Sequence, residues 1–219
     1  MSVRKAVALA ASILVLAAGA AFAQGPQYKL LNPPQPTEGG GKVEVIEFFW
    51  YGCGHCYRLE PFVNAFAKNA PKDVVLKRVP AVPSASWAEL AQLHYTLEAM
   101  GLLETWHGKI FDAIHKENLN LSNRKIREEW LTKQGIDLKK YQEMEKSFAV
   151  ATKMQRARQM TAAYKIDSVP QVVVNGKYVV SAETTGGTER IFPTVEQVIA
   201  IARKDKTAFA PSNLQLVQR

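Results

Sequence analysis

The spacing of apolar positions changes several times along this chain, and each change predicts an element. An apolar stretch from Ala6 to Ala20 follows Arg4 and Lys5 and runs into Ala21-Phe22-Ala23 before Gln24. That layout is an export signal cut after Ala23, since the stretch is alanine-rich, only marginally long enough to span a bilayer and carries no charge cluster on its far side. Residues 32–41 (NPPQPTEGGG) have no periodicity and read as a linker, with only a short strand at Tyr28 to Leu31 before it. Val43 to Trp50 is almost continuously apolar and rich in Val, Ile and Phe, as expected of a central strand buried on both faces. A helix from about Cys53 to Lys68 follows, with Leu59, Phe62, Val63 and Phe66 on its buried side and Pro61 expected to kink it.

Val74 to Val79 reads as another strand, so strand, helix and strand make a βαβ unit. The pattern then becomes helical over Trp87 to Met100, Glu104 to Lys116, Ser122 to Gln134 and Leu138 to Phe148, with Ser122 and Asp137 as N-caps. A helix from about Ala149 to Tyr164 precedes Val169-Pro170. Gln171 to Val174, Asn175-Gly176 and Lys177 to Val180 then predict a hairpin with a tight turn. Thr194 to Lys204, with Pro193 near its start, predicts a last amphipathic helix.

The chemistry is concentrated at the first strand-to-helix junction, where Cys53 and Cys56, the two cysteines of the chain, stand in Tyr51-Gly52-Cys53-Gly54-His55-Cys56. A bridge closing about four residues removes only roughly 2 kcal/mol of unfolded-state entropy, against about 5 for a hundred-residue loop, so the pair is better suited to catalysis than to stapling. A zinc site would need two more ligands at comparable spacing; cysteine is exhausted, and His94, His107 and His115 fall on predicted helices as surface or helix-packing residues. No metal is expected.

Composition narrows the class. With 47% hydrophobic and 22% charged residues among 219, the chain is an ordinary globular protein, and no segment after the signal is apolar enough to span a bilayer. Its formal charge of +8 is spread along helices instead of being gathered with aromatics, so no nucleic-acid partner is expected. Export would place the dithiol in an oxidising compartment, and a bacterial periplasm fits the short signal.

Glu47-Phe48-Phe49 before the motif, Cys53-Gly54-His55-Cys56, and Val169-Pro170 with a strand behind it together resemble the DsbA family of periplasmic disulfide oxidoreductases. The resemblance covers essentially the mature chain and implies an α/β thioredoxin fold with an inserted helical domain. On that plan residues 1–23 are the cleaved signal peptide, 24–41 an N-terminal strand and linker, and 42–83 the first half of the fold. Residues 84–148 are the helical insertion, 149–208 the second half and 209–219 a C-terminal tail. One departure is the dipeptide between the cysteines, Gly54-His55 where Pro-His is commonest; Gly-His also occurs in protein disulfide isomerases.

Cys53 at the start of a helix meets unpaired N–H groups and the positive end of the helix dipole, which favour thiolate and mark it as the nucleophile. His55 is expected to donate to that thiolate, and Cys56, a turn further on, to be the buried resolving thiol. Glu47, on the same strand face as Val45 and Phe49, is a candidate proton acceptor for Cys56, or else a carboxylate paired with Lys77. Trp50, Tyr51 and Tyr57 are divided evenly between groove rim and core. The resemblance implies a cis bond at Val169-Pro170, packed on the dithiol, with Val169, Pro170 and Gly54 lining a groove for extended peptide. It also implies a monomer without bound cofactor that oxidises reduced, unfolded exported proteins and is reoxidised by a DsbB-type, quinone-linked membrane oxidase. The alternatives are an isomerase or reductase, or a peptide-binding chaperone with a structural CxxC.

Overall fold

The structure, a computed structural model, describes residues 25–205. The expected signal peptide, its cleavage after Ala23 and the tail 209–219 lie outside the described residues.

Five strands form one sheet: β1 (Lys29–Leu30), β2 (Val43–Phe49), β3 (Val74–Pro80), β4 (Gln171–Val174) and β5 (Tyr178–Ser181), in the order β1-β5-β4-β2-β3. β2 pairs in parallel with β3, and the helix α1 (Gly54–Asn69) makes their crossover, which is the expected βαβ unit. β4 lies antiparallel to β2 and to β5, and β1 closes the other edge. Every residue of β2 is buried, as its unbroken apolar run requires of a strand covered on both faces. The β4–β5 turn works as Asn175-Gly176 predicts: both residues have positive φ, and Lys177 N–H donates to the Val174 carbonyl at 3.1 Å. A side chain at Gly176 would strike the Gln35 backbone. The linker is pinned there, because Gln35 N–H donates to the Gly176 carbonyl at 2.8 Å and Leu31 N–H to the Lys177 carbonyl at 2.7 Å.

Between β3 and β4 run α2 (Ala85–Ala99), α3 (Leu103–His115), α4 (Arg124–Lys133), α5 (Leu138–Glu145) and α6 (Phe148–Ala163). A one-turn α7 (Ala182–Thr185), a 3₁₀ turn at Thr188–Arg190 and α8 (Ile191–Ala202) complete the described chain. Several expected boundaries move. The central strand stops at Phe49, not Trp50. Asn123, not Ser122, caps α4 by accepting from Ile126 N–H, whereas Asp137 caps α5 as expected. The helix expected to reach Phe148 ends at Glu145, since the Ser147 side chain accepts from Val150 N–H and starts α6. α8 begins three residues earlier than its Pro193-based start, and α7 was not foreseen although Ser181 and Thr184 form a reciprocal capping box. α1 continues through Pro61, and Phe62 is 40% exposed instead of buried; Glu60 occupies the inward face beside Leu59 and Val63.

The core has three parts. α1 and α8 cover one sheet face through Val45, Leu59, Val63, Val172 and Val195. α2 and α6 cover the other through Ile46, Phe48, Val173, Ala91 and Met154. A third cluster joins Phe49, Tyr51 and Cys56 to Leu93, Phe111, Trp130 and Tyr141 of the inserted helices, so the buried cysteine is walled by them.

Candidate active site

Cys53, expected as the first helical residue, is instead the N-cap of α1, which begins one position later at Gly54. Its sulfur accepts from the Cys56 backbone N–H at 3.4 Å, and its own N–H donates to the Trp50 carbonyl at 2.9 Å. The turn is tight because Gly52 lies under the Trp50 ring, which a Cβ there would strike; Trp50 in turn stacks on Trp87 at 4.5 Å. Both cysteines are free thiols, Cys53 half-buried and Cys56 buried. Cys53 is drawn down to about 6, first by the hydrogen bond from the Cys56 side chain, then by the backbone N–H groups of Cys56 and His55, with the charge of His55 last; partial burial opposes them. Cys56 is pushed far up, chiefly by burial and next by its bond to Cys53. One thiol is therefore an anion near neutral pH and the other a thiol.

Val169 and Pro170 come to the same spot. Their peptide bond is cis, and the Cys53 sulfur lies 3.4 Å from the Val169 carbonyl, to which it donates when protonated. Gly54 begins α1 with Arg58 as its neighbour, 3.6 Å from where a Cβ would stand. His55 is exposed and turned toward Arg58, whose guanidinium donates to its Nδ1 at 2.9 Å, while the Thr188 hydroxyl stands at 3.5 Å from the same atom. Since Nδ1 accepts there, the ring proton is on Nε2.

Glu47 is fully buried, and burial first, then the Glu60 carboxylate, pushes it up to about 8 against the pull of Arg78. Its partner is Arg78, 3.5 Å from Oε2, and not Lys77, which binds Glu44 at 2.6 Å. Register decides this: Arg78 lies directly opposite Glu47 in the parallel pair, and Lys77 opposite Ile46. Around Glu47 the sequence reading missed a buried polar cluster. Glu60 lies 3.9 Å from Arg78 and 3.1 Å from His107 Nε2, and Tyr51 O–H lies 2.7 Å from His107 Nδ1 and 3.0 Å from His94 Nδ1. His115 Nε2 donates to the Tyr51 carbonyl at 2.8 Å and stacks on Tyr57. The three histidines thus converge on Tyr51, which belongs to the core, while Trp50 and Tyr57 are half-buried. One signal was available: Glu60 stands four residues after Cys56 on the same helical face.

A thioredoxin-type sheet carrying a dithiol at a helix start, faced by a cis-proline loop, defines a thiol–disulfide oxidoreductase. The DSBA-like thioredoxin domain family matches residues 72–193. The chain is 43% identical over 201 residues to the thiol:disulfide interchange protein DsbA of Bordetella parapertussis, spanning 91% of this chain and 95% of that protein. It is 42% identical over 175 residues to the protein of the same name from Azotobacter vinelandii, spanning 80% and 82%. The crystal structure of Pseudomonas aeruginosa DsbA superposes with a TM-score of 0.77 at 36% identity, covering 84% of this chain and 95% of that one. The chain belongs to the DsbA family.

Proposed function

We propose that this protein works in the periplasm as a disulfide donor to reduced, unfolded exported proteins, after removal of residues 1–23. A client thiolate attacks Cys53 Sγ of the oxidised pair, the Cys53–Cys56 bond breaks, and Cys56 leaves and takes a proton. A second client thiolate then attacks the client sulfur of the mixed disulfide and expels Cys53 as thiolate. The client gains one disulfide and the enzyme two electrons, which a DsbB-type membrane oxidase passes to quinone.

The observation that carries this reading is the half-exposed Cys53 sulfur, held down to about 6 at the helix start, because a stable thiolate is a good leaving group. Glu47, protonated at neutral pH when pushed up to about 8, is fitted to supply and recover the Cys56 proton. Val169, Pro170 and Gly54 line the groove, where the Val169 carbonyl that meets Cys53 is placed to bind extended backbone. His55, between the two cysteines, is available to donate to the Cys53 thiolate. The chain acts as a monomer, with residues 42–83 and 149–208 as the two halves of the catalytic domain and 84–148 inserted between them.

Equilibration with a glutathione redox series tests the direction of transfer. A donor should settle at a potential less negative than roughly −180 mV, the value for protein disulfide isomerase. A potential near that of thioredoxin, about −270 mV, would make the protein a reductase.

A further inference from the structure

Two buried carboxylates, Glu47 on β2 and Glu60 on α1, face a single guanidinium, that of Arg78 on β3. Such a pair does not readily hold two negative charges, so the surroundings must favour the proton on one of them. The donors are unequal. Glu60 has His107 Nε2 at 3.1 Å and Asn64 Nδ2 at 3.4 Å, while Glu47 has only Arg78 Nε at 3.5 Å, and neither of its oxygens makes a hydrogen bond. Opposite Glu47 on β4 stands Val172, which offers no side-chain donor. The remaining titratable groups of this cluster are Cys56 on α1, Tyr51, and His94 and Tyr95 on α2.

The donor to Glu60 is itself held. Tyr51 has one hydroxyl proton and two imidazole Nδ1 atoms within reach, so it donates to one ring and accepts from the other. With the His107 proton on Nε2, facing Glu60, its Nδ1 accepts the Tyr51 proton, and His94 Nδ1–H donates to the Tyr51 oxygen. Burial first, and His107 next, keep His94 well below the usual histidine range, in keeping with this neutral assignment. The three hydrogen bonds therefore all point toward Glu60, from His94 through Tyr51 and His107. A pocket of about 360 Å³ lined by His107, Gly108, Thr105, Glu104, Asn64 and Arg78 lies against the partners of the two carboxylates.

We propose that His107 is a positioning residue for proton exchange at the dithiol: by donating to Glu60 it fixes the negative charge there and leaves the proton on Glu47, the carboxyl group whose charge is felt at Cys56. This rests on the proposed role of Glu47. It also gives a helix of the inserted segment a part in the chemistry, although His107 touches neither sulfur.

The test uses the full-length mature protein with glutathione joined to Cys53, and follows its release by Cys56 as a function of pH. The wild-type rate should inflect near 8, where Glu47 titrates. Glu47→Gln should remove the inflection; if it remains, the role of Glu47 fails and this inference with it. His107→Asn, which keeps an amide near Tyr51 but falls short of Glu60, should lower the inflection by about one pH unit as the proton moves toward Glu60. His107→Gln, whose amide still reaches Glu60, should restore it. An inflection removed by Glu47→Gln but unmoved by His107→Asn overturns this inference alone. Should His107→Asn not fold, Tyr51→Phe frees the ring by loss of one oxygen and should move the inflection the same way, and no movement again overturns it. The infrared carbonyl band of the protonated Glu47 carboxyl should weaken at neutral pH in the variants that shift.

Discussion

At Cys53 the largest influence on the sulfur is its partner. The hydrogen bond from the Cys56 side chain outranks the helix amides, and the His55 charge comes last, in keeping with a ring whose Nδ1 accepts from Arg58. Cys56→Ala should therefore raise the Cys53 titration from about 6 toward the ordinary thiol value, and Cys56→Ser, which keeps a donor, should raise it less. Ultraviolet thiolate absorbance reads this, and equal midpoints in the two variants would show that the amides alone set the value. Cys53, Cys56 and Glu47 were legible from residue type and spacing. Arg78 was not, because choosing it over Lys77 depends on the register between β2 and β3, which no local pattern specifies.

Among the elements, the inserted helices depend on one buried cation. Arg127 of α4 is 1% exposed; it donates to the Leu121 carbonyl at 2.9 Å and to Glu89 at 3.0 Å, and lies 3.6 Å from buried Glu145. Arg127→Ala should cost roughly 3 kcal/mol in urea unfolding, because it leaves buried acceptors unpaired. Arg127→Met, which refills the space without charge, should cost less. Helix boundaries followed from caps where a capping residue stood alone, as at Asp137. They slipped where two stood together, as at Ser122 and Asn123, since either side chain can accept the first free N–H groups.

On the scale of the whole molecule, redox state is linked to pH. The reduced folded protein holds Cys53 near 6 against 9.0 ordinarily, so the folded state binds fewer protons than the unfolded one between those values. This stabilisation is complete above the unfolded value, shrinks as pH falls, and is gone below about 6. The oxidised protein has no such thiol. Between about pH 5 and pH 7 the stability gap should move in favour of the reduced form by about 1 kcal/mol, allowing for screening of the half-exposed sulfur. That corresponds to about 2–4 °C in the difference of melting temperatures, measured on both forms across the range. A gap constant with pH would show that Cys53 is an ordinary thiol.

By itself the sequence determined the βαβ start, the hairpin, the succession of helices and the place of the dithiol. Those depend on local periodicity, turn residues and the spacing of two cysteines, all of which act within a few positions. Only the tertiary structure decided that Glu47 and Glu60 share Arg78, that three histidines meet at Tyr51, and that the inserted helices wall the buried thiol. Tyr51 and His115 alone are 64 positions apart, and each residue has a satisfactory local role on its helix or strand. What makes them a site is the loss of water around them, and burial of that kind exists only once the layers have packed.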